Sequence, residues 1–146
     1  MKTTARQITI DMYKCNLTGF GSADVAGSAI TNTLESIGLG AAQKITQTFD
    51  DGHFAVAVLF PSGSLTAHIY PNLSYVSLDL FICEENARPD THFTSLRKVF
   101  KAEKTKITEL RRGDFGSIKD MKPKTSTKTS RMRKIKKVIR FFTKQE

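Results

Sequence analysis

Between Gln43 and Ile82 the chain runs through four short stretches that read as strands. They are Gln43–Phe49, Phe54–Phe60, Ser64–Tyr70 and Tyr75–Ile82. Turn formers separate them: Asp50-Asp51-Gly52, Pro61-Ser62-Gly63 and Pro71-Asn72. Such gaps are too short for a parallel crossover, so the four stretches predict an antiparallel meander. Gln7–Tyr13 alternates and predicts an earlier strand, followed by a loop over Asn16–Ser22. In Ala23–Ile37, Ala26, Ile30, Leu34 and Ile37 recur at helical spacing, with Ser22 as N-cap and Gly38 as the stop. A second helix opens at Pro89, with Phe93, Leu96, Val99 and Phe100 on one face. Thr105–Leu110 is a last strand, and Gly113 ends the compact part. The order β-α-β-β-β-β-α-β predicts an α+β fold, a two-layer sandwich with both helices on one face of the sheet. The other face must be wetted or covered. Apolar residues at both parities of Phe54–Phe60 and Tyr75–Ile82 predict a dimer formed sheet to sheet.

Charge divides the chain. Residues 1–116 hold 12 Lys and Arg against 12 Asp and Glu, whereas residues 117–146 hold 11 basic residues against Asp120 and Glu146. The expected organisation is a neutral domain over 1–116 and a basic tail over 117–146. A neutral domain gives no sign of nucleic-acid binding. Within the tail, Ser117–Ser130 reads as a disordered linker rich in Lys, Thr, Ser and Pro. Over residues 131–142, Met132, Ile135, Val138, Ile139 and Phe142 give an amphipathic helix an apolar stripe among basic residues. Such a helix suits contact with an anionic membrane or a nucleic acid. No run of 18 apolar residues and no apolar leader occur, which predicts a cytoplasmic protein. Cys15 and Cys83, the only two cysteines, have no metal-ligand spacing and suit a reducing compartment. Asp50-Asp51-Gly52-His53 reads as a hairpin loop, and no metal site is expected. Neither a Ser-His-Asp nor an HExxH pattern is present.

The chemistry-bearing residues lie on the last two stretches of the meander. His68 falls on one and Cys83 just past the end of the next. Adjacent antiparallel strands can bring two such residues to one spot and make a proton-transfer pair. Taken alone, His68 reads as a satisfied, half-buried strand histidine, and the other reading of Cys83 is a small buried hydrophobe. Phe49 and Tyr70 offer aromatic faces, or simply core.

Three segments carry a family resemblance: Asp11-Met-Tyr13-Lys-Cys15, Ser74-Tyr-Val-Ser-Leu-Asp79-Leu-Phe-Ile-Cys83 and Glu109-Leu-Arg-Arg-Gly113. In order and spacing, from about Arg6 to Gly113, they resemble the prokaryotic S-adenosylmethionine decarboxylases. These enzymes make the aminopropyl donor for spermidine and use a pyruvoyl group formed by self-cleavage at a Glu-Ser pair. The resemblance implies that His68 assists self-cleavage and that Cys83 returns a proton to the decarboxylated product. It implies that Phe49 lies near a bound nucleoside, that Tyr70 stands where the family usually has Trp, either ring able to stack on adenine or the sulfonium, and that Asn72 occupies the place of a carboxylate holding the ribose.

The departures are as informative. The cleavage pair falls on Ser62-Gly63, so position 63 has no hydroxyl, and a processing serine falls on Ala55. The expectation is a divergent relative that does not self-cleave and carries no cofactor. It would be inactive, or would serve as a regulatory or ligand-binding protein, as a homodimer or paired with a decarboxylase paralogue. The alternatives are an active decarboxylase, for S-adenosylmethionine or another amino acid, whose pyruvoyl arises from Ser64 by cleavage at Gly63-Ser64, and a binding protein acting through its tail. Ser64 is one position late, and a bulge at Pro61–Gly63 is expected to be needed to restore its facing.

Overall fold

A computed structural model describes residues 4–84, 89–112 and 124–131. Its elements are β1 (Thr4–Tyr13), α1 (Ala23–Ser36), β2 (Gln43–Thr48), β3 (Phe54–Phe60), β4 (Gly63–Tyr70), β5 (Tyr75–Glu84), α2 (Pro89–Phe100), β6 (Lys104–Arg112) and β7 (Lys124–Arg131). The strands form one sheet in the order β2-β3-β4-β5-β1-β6-β7. Every neighbouring pair is antiparallel. The meander β2 to β5 is as expected, and β1 returns to lie between β5 and β6.

Alternation decides which side is dry. Ile8, Ile10 and Met12 of β1 share one face with Val56 and Val58 of β3, Leu65, Ala67 and Ile69 of β4, and Val76, Leu78, Leu80 and Ile82 of β5, all buried. They form one core with Ala26, Ile30 and Leu34 of α1 and Phe93, Leu96 and Phe100 of α2. The helix residues repeat at three and four positions, which gives each helix one apolar stripe to bury. Ser22 caps α1 by accepting from the Val25 N–H, and Gly38, with φ +84°, ends it. Buried Arg97 donates to the carbonyls of Ala102 and Glu103, where the chain leaves α2. Both helices therefore cover one face, and the architecture is the expected two-layer sandwich.

The second face, called open here, carries the other parity. On β3 it presents Ala55, Ala57 and exposed Leu59, next to exposed Ile45 of β2. On β5 it presents Tyr75, Ser77, Asp79 and Phe81. The apolar second parity expected for both strands is thus strong on β3 and diluted by Ser77 and Asp79 on β5.

One expectation is corrected. Residues 124–130, read as part of a disordered linker, form β7 together with Arg131 on the outer edge of β6. Thr108 and Thr127 face each other there with their hydroxyl oxygens 3.2 Å apart. A run of Lys, Thr and Ser has no apolar face to offer, but threonine favours strands, and an edge strand can form on backbone hydrogen bonds alone. The helix expected over 131–142 begins at a residue that closes β7, and its remainder lies outside the described residues. Among the described residues, no helix is long and apolar enough to cross a membrane.

Candidate active site

The open face carries the candidate residues, and the strand register distributes them. β3 and β4 join through a two-residue turn, Pro61-Ser62, with Phe60 opposite Gly63. The register therefore pairs Ala55 with His68. Across the next ladder His68 faces Ser77, while Ser64 faces Phe81. Cys83 lies six residues beyond Ser77 along β5. At about 3.3 Å per residue, this separates His68 from Cys83 by roughly 20 Å within one chain. The expectation that they share one spot is corrected: they share a face but lie toward opposite ends of it.

At the Cys83 end, the Cys83 N–H donates to the Ser62 carbonyl at 2.7 Å. Ala5 lies beside Cys83 on β1, and the Arg112 guanidinium covers the Phe81 ring at 5.6 Å. Arg112 also donates to the Gln7 side-chain oxygen. Ser64 needs no bulge, contrary to expectation. Four residues before His68 on the same strand, it shares that face by alternation, and the β4–β5 register sets it diagonal to Cys83.

Gly63 is the most constrained position in the region. A Cβ built there would overlap the Phe81 carbonyl oxygen, come within 2.8 Å of the carbonyl carbon and lie 3.2 Å from the Ile82 Cα. All three are backbone atoms of a paired strand, so the neighbour cannot simply rotate away. Glycine lets β4 approach β5 this closely.

At the His68 end the open face carries a row of rings. Phe49 stacks on His53 with centroids 4.4 Å apart and planes 10° apart. His53 stacks in turn on Tyr70 at 4.7 Å and 15°. Tyr70 continues to Tyr75 at 5.8 Å and Tyr75 to Tyr13 at 5.4 Å. His68 lies 5.9 Å from His53. Two carboxylates anchor this row. Asp51 accepts from the His53 ring at 2.5 Å and from its backbone N–H at 3.1 Å. These bonds, and above all the one to the ring, hold the Asp51 carboxyl below its ordinary pKa. Asp11 accepts from the Tyr75 hydroxyl at 2.5 Å. Burial first, and then that bond to Asp11, raise the Tyr75 phenol well above its ordinary range.

Phe49 and Tyr70 thus come together, but with His53 between them. Asn72 is exposed at the tip of the turn joining β4 to β5. Cys15 lies apart from the open face, buried in the loop after β1, and burial raises its thiol to about 11. No group of three or more His, Cys, Asp or Glu suited to a metal occurs among the described residues. Sequence reasoning missed His53, Asp51, Asp11 and Tyr75. A signal for His53 was available: a two-residue turn at Pro61-Ser62, rather than a three-residue turn, places His53 directly beyond Phe54 and so beside Tyr70.

A two-layer sandwich with this strand order, and a histidine and a cysteine on its uncovered face, defines a narrow class of α+β proteins. Comparison with known proteins narrows it further. The S-adenosylmethionine decarboxylase family matches residues 6–113, and the chain belongs to that family. It is 27% identical over 123 residues to the S-adenosylmethionine decarboxylase proenzyme of Methanococcus maripaludis, covering 82% of this chain and 100% of that protein. It is 28% identical over 122 residues to the Thermotoga maritima proenzyme, covering 81% and 91%. Among solved structures, the adenosylmethionine decarboxylase of Aquifex aeolicus superposes with a TM-score of 0.64 at 14% identity, over 81% of this chain and 95% of that one. The Trypanosoma brucei AdoMetDC-delta26 monomer superposes with a TM-score of 0.56 at 10% identity, over 72% and 45%. These structural likenesses concern the fold.

Proposed function

We propose that this chain is a non-self-cleaving member of its family, a cytoplasmic protein that binds an S-adenosylmethionine-like nucleoside on its open face. In this reading it has lost decarboxylation and acts in spermidine metabolism as a regulatory or ligand-binding subunit. The observation that carries it is the crowding at Gly63. The family's processing serine falls on this residue, which has no hydroxyl and no room for one against the Phe81 backbone. Ala55, in the place of a second processing serine, lies opposite His68 and offers that imidazole no hydroxyl from β3. The residues at 55 and 63 do not fit the precursor of a pyruvoyl group.

The ligand class follows from the His68 end of the face. Aromatic rings suit a nucleoside base and a sulfonium cation, and the carboxylates of Asp11 and Asp51 favour a positive charge. Asn72 can hydrogen-bond a ribose diol without charge assistance. The exposed Ile45 and Leu59, with Ala57 between β2 and β4, suit burial in a sheet-to-sheet dimer. The partner is a second copy or a decarboxylase paralogue.

Intact mass of the purified protein tests the reading, and a single chain of 16.3 kDa is expected. Two chains divided between Gly63 and Ser64, the second blocked by a pyruvoyl, would establish the alternative of an active decarboxylase. The placement of Ser64 on the face of His68 and Cys83 favours that second reading.

A further inference from the structure

Phe49 and Tyr70 lie on either side of the His53 imidazole, each nearly parallel to it. Three nearly parallel rings in succession are what a flat heterocycle produces when two aromatic side chains grip it. Here the gripped heterocycle belongs to the protein. His53 is in that position for local reasons. The β2–β3 hairpin closes through the Phe49 N–H donating to the His53 carbonyl, and Gly52 supplies the positive φ, +86°, that the turn requires. Asp51 then fixes the ring from its far edge. The arrangement is open to exchange. The two rings leave the His53 side chain 17% exposed, but the groups that hold it are open to solvent: Phe49 is 42% exposed and the Asp51 side chain 65%. His53 is thus held by one solvent-exposed pair and two ring faces, with the tilted His68 ring 5.9 Å away, and not by the core.

We propose that His53 is the resident occupant of a slot for a planar ring between Phe49 and Tyr70, and that it sets the selectivity of the open face by competing with the ligand's base. The inference rests on the reading above that this face takes a nucleoside, and adds what the nucleoside must displace. A purine base enters only when His53 swings out and parts from Asp51. A ligand with no flat ring gains nothing by displacing it. His53 therefore weakens binding of every base-bearing ligand and leaves the other contacts of the face unchanged.

Adenosine is the probe, read by calorimetry and by the ring-proton resonances of His53. In the free protein those protons lie over two ring faces and are shifted upfield; at saturating adenosine they are expected to return to exposed positions. His53→Ala is expected to bind adenosine about tenfold more tightly than the unaltered chain, and Asp51→Asn to show a smaller gain. The double change His53→Ala with Tyr70→Ala is expected to lose the gain. Circular dichroism shows whether each variant keeps its sheet, and the resonance test needs no variant. Three results would overturn the inference: equal affinity of His53→Ala and the unaltered chain, no adenosine binding by folded His53→Ala, or adenosine bound with the His53 resonances unmoved. S-adenosylmethionine, titrated in parallel, separates this from the wider reading. If His53→Ala takes adenosine but not S-adenosylmethionine, the slot stands and the ligand assignment falls. If S-adenosylmethionine binds with His53 still stacked, the assignment stands and the slot falls.

Discussion

His68 and Cys83 lie on the same face of the sheet, on neighbouring strands, yet the β4–β5 register holds them six residues apart along β5. No side-chain rotation closes a gap of roughly 20 Å. A face-to-face dimer with its two-fold axis running across the strands would set His68 of one protomer over the Cys83 end of its partner. A bismaleimide applied to a His68→Cys variant is expected to link thiols between chains, giving a covalent dimer on denaturing gels. Exclusively intrachain linkage would count against this packing.

Restoring a serine at position 63 is not expected to restore self-cleavage. Gly63→Ser drives a Cβ into the Phe81 backbone, and overpacking of this kind costs about 2 kcal/mol. Chemical denaturation should show the loss, and intact mass should still give one chain. Clean conversion to two chains would mean that β4 yields far more easily than its register implies.

Cys15 links stability to alkaline pH. Burial raises its folded-state pKa from 9.0 to about 11, so the unfolded chain loses this proton first. The contribution is whole below pH 9.0 and is lost as pH rises toward about 11. It is on the order of 2 kcal/mol. Urea midpoints from pH 8 upward should fall less steeply for Cys15→Ala than for the unaltered chain. Parallel slopes would show that Cys15 ionises as freely folded as unfolded.

Asp51 behaves in the opposite sense. Its folded pKa is depressed, first by the bond to the His53 ring, so the pairing is present above the ordinary carboxylate range and disappears as acid titrates the folded form. A carboxyl-carbon titration should give Asp51 a midpoint below 3.8, and His53→Ala should move it upward. A midpoint unchanged by that substitution would separate the two residues.

Leu78 is fully buried at the centre of β5, in the core that the sheet shares with both helices. Leu78→Ala is expected to cost about 3 kcal/mol. Thr66→Ala, on exposed β4 surface, should change the denaturation midpoint little.

The architecture was legible because burial writes itself into periodicity. Ile30 and Leu34 on α1, and Val56 and Val58 on β3, announce their elements without any knowledge of partners. Register was not legible, because it depends on turn length, and one residue at Gly63 separates a three-residue turn from the two-residue turn observed. That single residue decides which residues of β3 face Ser64 and His68, and puts His53 beside Tyr70. β7 escaped notice for a different reason: an edge strand with no dry side has no apolar rhythm. His68, Cys83, Phe49 and Tyr70 were recognisable as residue types, whereas the interposed His53 depended on a hairpin geometry that its neighbours alone do not announce.

The sheet ends in β2 on one side and β7 on the other, and neither invites a further strand. β2 is largely exposed and carries Lys44, and β7 is built from Lys, Thr, Ser and Arg alone. Charged, soluble borders of this kind discourage lateral growth into ribbons or fibres. Among the described residues, the open face then offers exposed Ile45 and Leu59 for self-association. A face that meets its own copy about a two-fold axis is used up in the act. An assembly built through that face alone would stop counting at two.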